Sequence, residues 1–329
     1  MKSMLKRLHL LILLLVVLVL PTSCIKEDFD DCDNVTIYFQ YLADGEKDVL
    51  YQYMTKVDLY VFDESGHIMG VGTYHEDELK NFAAIPSFKL RPGHKYKVVA
   101  VGNAYDATKV VNIEATSFSD IYLQSPEWND GKGNRVTNHD DNYLGQLEFT
   151  MPDKVGTMYR DTVTLYSAHV DVNIEIYGLP APDEKGRQSD AIPYELSIEN
   201  SNAQCSFENE INTDEKGTIY PDLIYDDTKK CYRTDGFRLF RMDNQFNGNN
   251  HVEFDYCEHT VVLRDLTAPE DEEPLFTGKL YNYITGNEKV EELVIKQEAV
   301  LPIELRFHNL VGEITIPDWI IVDGKPEWN

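Results

Sequence analysis

Between Val170 and Tyr177 the chain reads Val-Asp-Val-Asn-Ile-Glu-Ile-Tyr, with Val or Ile at every even position and a polar residue at the first three odd ones. Only an extended strand with one buried face satisfies a period of two, and Gly178-Leu179-Pro180 stops it. The same signature recurs at short intervals. Val35 to Tyr41 is rich in β-branched and aromatic residues and is followed by the Asp44-Gly45 turn, and Lys56 to Phe62 repeats it. Asp63-Glu64-Ser65-Gly66 then joins that run to His67–Tyr74 as a hairpin. Further strands are expected at Tyr96–Val101, Leu147–Met151, Tyr194–Ile198, Gln204–Phe207, Phe237–Phe240, Val252–Tyr256, Thr260–Leu263 and Leu275–Tyr283. Leu293–Ile295, Ile303–Phe307 and Gly312–Ile316 complete the set, and His75–Ala84 is the best short helix. With no long amphipathic helix to cover a parallel sheet, strand spacing implies two antiparallel β-sandwiches. The expected change of unit falls in Pro152–Asp161, which gives an N-terminal sandwich over 34–156 and a C-terminal one over 157–329.

The first 23 residues carry a different signal. A basic start with Lys2, Lys6 and Arg7 leads into thirteen largely apolar residues from Leu8 to Leu20, then Pro21-Thr22-Ser23-Cys24. A membrane-spanning helix needs about 20 apolar residues, so the pattern is that of a removed lipoprotein signal peptide, residues 1–23, with Cys24 as the lipidated first residue. Pro21 stands where the strict motif has leucine. Residues 24–33 read as an acidic tether with little to bury.

Removing that leader takes away Lys2, Lys6 and Arg7 and no acidic residue, so the formal charge of −27 becomes −30. So acidic a surface repels phosphate backbones and gains nothing from counterion release, which excludes nucleic acid as a partner. It also leaves the acyl chains, rather than charge, to hold the chain to an outer membrane.

Cys32, Cys205, Cys231 and Cys257 remain as disulfide candidates for an oxidising compartment, with the pairing open. Gaps of 26 residues between the last three do not make the close pairs that zinc sites use. No Gly-x-Ser-x-Gly elbow and no His-Glu-x-x-His frame occurs, and His67, His75, His94, His139, His169, His251, His259 and His308 are scattered one per element. His139-Asp140-Asp141 reads as a solvated acidic loop. The chain is therefore expected to be no enzyme and to hold no cofactor or metal.

The order Cys24-Ile25-Lys26-Glu27-Asp28, Asp31-Cys32, first strand, then Lys56-Val57-Asp58-Leu59-Tyr60-Val61-Phe62-Asp63-Glu64-Ser65-Gly66 resembles the FimB-like fimbrial anchor family of Bacteroidales. Val163 to Val172 resembles that family's entry into its second domain, and Ile314-Thr315-Ile316 with Trp319 and Val322-Asp323 resembles its last strand. The resemblance implies two tandem transthyretin-like antiparallel β-sandwich domains and a role at the base of a fimbria. It also implies fimbrial stalk subunits as partners through strand exchange or contact, and a place on the cell surface, lipid-anchored in the outer membrane.

In assembly of that type one subunit supplies a strand that completes another's sheet, and stalk subunits first lose their own first strand by cleavage after arginine. Here the first arginine after Cys24 is Arg91, followed by Pro92, so the Val35–Tyr41 strand is expected to stay. Residues 293–322 are the expected contact element for the next subunit. The alternative reading is a surface lipoprotein that binds glycans for an uptake system, with Trp128, Trp319 and Trp328 as stacking platforms.

Overall fold

The computed structural model describes residues 34–79, 82–84, 90–126, 135–136, 138–154, 156–182, 192–212, 214–241, 258–269, 271–308 and 311–315. In the N-terminal half the strands are β1 (Val35–Gln40), β2 (Lys56–Asp63), β3 (Ile68–His75), β4 (Ala83–Ala84), β5 (Lys95–Gly102), β6 (Lys109–Val111), β7 (Tyr122–Gln124), β8 (Arg135–Val136), β9 (Tyr143–Thr150) and β10 (Tyr159–Ser167). A single helical turn, α1 (Leu50–Tyr53), follows β1. Seven of these strands form one path, β3-β2-β5-β9-β10-β1-β4.

That path folds over on itself at β10. Residues 159–164 pair parallel with β1, whereas Leu165, Tyr166 and Ser167 pair antiparallel with β9. One long strand thereby serves both layers of a sandwich. Val35, Ile37 and Phe39 from β1 and Val163 from β10 meet Val57, Leu59, Val61, Val98 and Ala100 from β2 and β5 in a common core. Gly145 sits at the crossing, where an added Cβ would lie 2.6 Å from both the Thr164 carbonyl oxygen and the Val163 Cγ1.

The C-terminal half adds β11 (His169–Tyr177), β12 (Tyr194–Asn202), β13 (Gln204–Ser206), β14 (Lys216–Ile219), β15 (Leu223–Asp226), β16 (Cys231–Thr234), β17 (Phe237–Phe240), β18 (Thr260–Asp265), β19 (Phe276–Lys279), β20 (Val300–His308) and β21 (Val311–Thr315). Two helices, α2 (Leu280–Thr285) and α3 (Glu288–Val294), lie between β19 and β20. One sheet runs β15-β16-β11-β20-β21, with β17 also on β11, and the other runs β19-β18-β12-β14-β8. The alternation that marks β11 works as expected. Val170, Val172, Ile174 and Ile176 are buried and join Leu196, Ile198, Val261, Leu263, Leu301 and Ile303 between the sheets.

The expected all-β class holds, and most pairings are antiparallel. Among the described residues three are parallel: β1 with β10, β11 with β20, and β14 with β8. The limit expected at residue 156 precedes β10, yet β10 lies in the N-terminal sheet, and Ala168 alone separates it from β11. The two halves also share elements. β13 pairs with β7 in the sheet β13-β7-β6, and β8 joins β14. Tyr60, Phe62, Val99, Val101, Ile121 and Leu123 pack there with Cys205, Phe207 and Phe240 in a third core.

Other local expectations give way to the structure. His75–Ala84 contains turns and the two-residue β4 among its described residues, with no helix. Leu275–Tyr283 divides between β19 and α2, and Leu293–Ile295 ends a helix instead of forming a strand. Asn287 caps that helix, its side chain accepting from the Lys289 and Val290 amides, with Glu288 and Glu291 in the first turn. Val290 and Val294 then share the buried face one turn apart. Val252–Tyr256 lies outside the described residues.

Gly145→Ala should overpack the β9–β10 crossing and lower the unfolding free energy by about 1–3 kcal/mol. Urea denaturation of the two proteins measures it, and an unchanged midpoint would contradict the packing described.

Candidate assembly site

The first strand is paired on both of its edges. β1 makes six parallel register pairs with β10, from Val35 opposite Tyr159 to Gln40 opposite Thr164, and two with β4. Its inward side chains, Val35, Ile37 and Phe39, and the following Tyr41 are at most 2% exposed. Both ends are held. The Asn34 side chain donates to the Leu90 carbonyl at 2.7 Å and accepts from the Leu90 amide at 3.2 Å, while the Tyr159 amide donates to the Asn34 carbonyl at 2.8 Å. At the other end the Tyr41 amide donates to Asp48 at 3.1 Å, and the Phe39 amide donates to the Phe82 carbonyl at 2.7 Å.

Tyr41 then reaches the C-terminal half. Its hydroxyl and that of Tyr143 both donate to Glu298 Oε1, the latter at 3.1 Å. Burial raises the Glu298 carboxyl above its usual range, the two tyrosine hydrogen bonds opposing the shift. Burial, with Glu298 adding to it, pushes both phenols far above theirs. Asp44 accepts from the Gln297 amide at 3.1 Å, and the Gln297 side chain accepts from the Ser167 amide at 2.8 Å. The Arg241 guanidinium, 1% exposed, donates to the carbonyls of Val294 and Gln297. The end of α3 is thus fastened to the β1 side of the molecule by polar bonds that sequence could not reveal, because the partners lie more than 50 residues apart in the chain.

His139-Asp140-Asp141 is not the solvated loop expected. His139 is 2% exposed and stacks on Phe240 at 3.9 Å, Asp140 accepts from the Tyr105 amide at 2.8 Å, and Asp141 accepts from Asn103 at 3.2 Å. Among the described residues no group of His, Cys, Asp and Glu could hold a metal ion. His169 lies beside it, its Nδ1 3.0 Å from the Asn142 carbonyl and 3.3 Å from Ser167 Oγ. That serine is fully buried and donates to the His169 carbonyl at 3.0 Å, an arrangement that positions backbone rather than a nucleophile. Burial pulls His139 down to about 4, and His169 and His259 to about 3.

Cys205 and Cys231 are buried free thiols. Cys205 lies in the core between the halves, donating to Asn209 at 3.5 Å, and burial raises its thiol well above the ordinary range. Cys231 starts β16, opposite Tyr177 and Asp226. Cys24, Cys32 and Cys257 lie outside the described residues, as do Trp128, Trp319 and Trp328. A cleft of about 430 Å³ opens beside the start of β12, lined by Tyr194, Leu196, Tyr220 and Leu266 with the carboxylates of Glu195 and Asp222.

In the expected contact region, 293–322, the structure places the end of α3, the central strand β20 and the edge strand β21. Val311 at the start of β21 is 72% exposed. Residues 316–322 lie outside the described residues. No helix among the described residues is long and apolar enough to cross a membrane.

Three neutral buried histidines predict an acid-sensitive fold. In the unfolded chain they protonate near 6.5, so their contribution is complete above that pH and is lost as pH falls from 6.5 towards 4. Glu298, Asp141 and Asp171, whose carboxyls burial raises, act in the opposite sense. The measure is therefore a difference of slopes. His139→Gln should reduce the pH dependence of the unfolding free energy between pH 6 and 4.5 by about 1.4 kcal/mol per pH unit, read from urea titrations, and parallel profiles would count against it.

Comparison with known proteins agrees with the architecture. A family model described as fimbrillin-A associated anchor proteins Mfa1 and Mfa2 matches residues 29–325. A crystal structure of a candidate adhesin from Bacteroides ovatus is similar with a TM-score of 0.65 and 15% identity, covering 86% of this chain and 93% of that one. The fimbrial anchor protein Mfa2 from Porphyromonas gingivalis is similar with a TM-score of 0.59 and 15% identity, over 85% of this chain and 94% of that one. A candidate polysaccharide-binding protein from Bacteroides thetaiotaomicron gives a TM-score of 0.59 at 13% identity, over 86% and 98%. No curated protein sequence matches the chain.

Proposed function

The chain belongs to the fimbrillin-A associated anchor proteins, and from that premise we propose that it is the fixed end of a fimbria, tethered to the outer membrane by lipid on Cys24 and closed to strand addition at its own first strand. The observation that carries this reading is the state of β1. Its six-residue ladder with β10 and its buried Val35, Ile37 and Phe39 leave no slot for a donor strand. No arginine lies between Cys24 and Arg91, so an arginine-specific protease has no site from which to release β1.

The polymer then grows away from a subunit that offers surface and accepts no donor strand in the place of β1, which also limits assembly at the base. The C-terminal edge strand β21, with its exposed Val311, supports residues 293–322 as the contact element for a stalk subunit. In this reading the protein is structural. The membership in an anchor family and the burial of Ser167 and His169 support that view.

Two measurements test it. Mass spectrometry of the surface protein should find an acylated N-terminus at Cys24, and a surface form beginning after Tyr41 would end the proposal. Cys24→Ala should move fimbriae from the cells into the medium with their subunit composition unchanged; full retention on the cells would contradict the lipid tether.

A further inference from the structure

We propose that the two long parallel ladders of this fold, β1 with β10 and β11 with β20, are shear clamps in series that let the chain bear tension along its length. The proposal rests on the reading of the chain as the fixed end of a fibre. Among the described residues the other long pairings are antiparallel, and these two lie in succession on the path from the first strand to the end of the chain.

The joint between the halves sits at one end of each ladder. Tyr41, just beyond the C-terminal end of β1, donates to Glu298, just before the start of β20. Ala168 follows the C-terminal end of β10 and leads straight into β11. It is pinned there, its amide donating to the Asn142 carbonyl at 2.9 Å and its carbonyl accepting from the Arg241 amide at 2.9 Å. The C-terminal half therefore lies at the C-terminal ends of β1 and β10, and the N-terminal half at the N-terminal ends of β11 and β20. The chain enters at the pole away from the joint, where Asn34 holds Leu90 ahead of β1. The β20–β21 hairpin stands at the other pole, with His308 opposite Val311 and Val311 72% exposed.

Tension between these poles pulls the two members of each ladder in opposite senses along their own axes. β1 is drawn back by its N-terminal end and β10 forward by its C-terminal end, so the six register pairs from Val35–Tyr159 to Gln40–Thr164 are strained together. β11 is drawn back and β20 forward in the same way, across seven pairs from Asp171–Val300 to Tyr177–Arg306. The Asp171 amide also donates to the Ala299 carbonyl at 3.0 Å, which lengthens that ladder towards the joint. The evenly spaced bonds of a parallel pair share a pull along the strands, whereas a pull across them breaks one bond after another. Packing adds to the resistance. A slip of one residue would turn Val35, Ile37 and Phe39, or Leu301, Ile303 and Leu305, out of the core. A sliding strand must therefore break its whole ladder before its buried face fits again.

The test pulls the full mature chain in optical tweezers, with one DNA handle at Cys24 and the other at position 311 or at position 154. Lys154 is exposed in the turn before β10, so pulling from 24 and 154 takes β1 and β10 by their N-terminal ends and unzips the same ladder. Forced unfolding follows the unfolding rate, not the equilibrium stability. One protein of one stability should therefore open at a force at least about twofold higher from 311 than from 154. Two ruptures are expected from 311, one for each ladder. Tyr38 and Thr162 are partners across β1 and β10, both exposed on the outer face, and neighbouring strands bring Cα atoms within disulfide reach. Joining Tyr38→Cys to Thr162→Cys by oxidation should remove one rupture, and reduction should restore it. Equal forces from the two positions, or a stapled chain that still shows both ruptures, would overturn the clamps. Fimbriae retained by Cys24→Ala cells would instead end the anchor reading and leave the comparison of forces unchanged.

Discussion

The parallel ladder between β1 and the first six residues of β10 is the contact on which the N-terminal half depends. Without β1, the buried faces of Val57, Leu59, Val61, Val98 and Ala100 would lose most of their opposite layer, and Tyr159–Thr164 would become an unpaired edge. Parallel pairing needs a long crossover connection, and here the whole of β2 to β9 lies between the two partners. Closing the sandwich is therefore a non-local event. The Asn34 clamp on Leu90 and the Asp48 bond to the Tyr41 amide fix the two ends of a strand that has few local contacts of its own.

From that ladder the constraint passes to the other half. Tyr41, one residue beyond β1, meets Glu298 just before β20, and β20 is the parallel neighbour of β11 at the centre of the C-terminal sheet. Tyr143, Gln297 and Arg241 are buried and Glu298 partly so, and each of these groups needs its partner to offset the loss of water, while Asp44 accepts from the Gln297 amide at the exposed rim. Together with the apolar contacts of Phe207 and Phe240 against Tyr60 and Phe62, this cluster joins the two halves by contacts as well as by the chain. Under the proposed function, load applied to the C-terminal half would reach the strand nearest the N-terminus through these hydrogen bonds and packing instead of through the chain alone.

The sequence made the local half of this legible. The alternation in β11, the β-branched run of β1 and the Asp63–Gly66 hairpin all describe interactions within a few residues, and the structure keeps them. Pairing order was not legible, since nothing in the composition of β10 shows that it divides its two ends between β1 and β9. The Leu275–Tyr283 and Leu293–Ile295 segments misled because a short apolar run suits a strand or a buried helix equally. The Asn287 cap with Glu288 behind it was the signal that separates the two. The buried state of His139 was hidden for a different reason. Its neighbours Asp140 and Asp141 look solvated, while the partner that buries it, Phe240, lies a hundred residues away.

The fate of the first strand turns on a competition between an attached and a free ligand. Burying Val35, Ile37, Phe39 and Tyr41 removes four large side chains from water, each contributing about 1.5–3 kcal/mol, and a foreign donor strand would have to replace all of that and the six-residue ladder. The resident strand also has an effective concentration on the order of millimolar, because the chain itself holds it near its site. A free subunit on a cell surface cannot match that without a cut that detaches the resident. The stretch from Cys24 to Leu90 contains no arginine at which an arginine-specific enzyme could make it. Under the proposed function, the same covalent continuity that defeats a competing strand carries force from the sandwich to the lipid, so one unbroken peptide segment explains both why growth stops at this subunit and why the fibre stays attached.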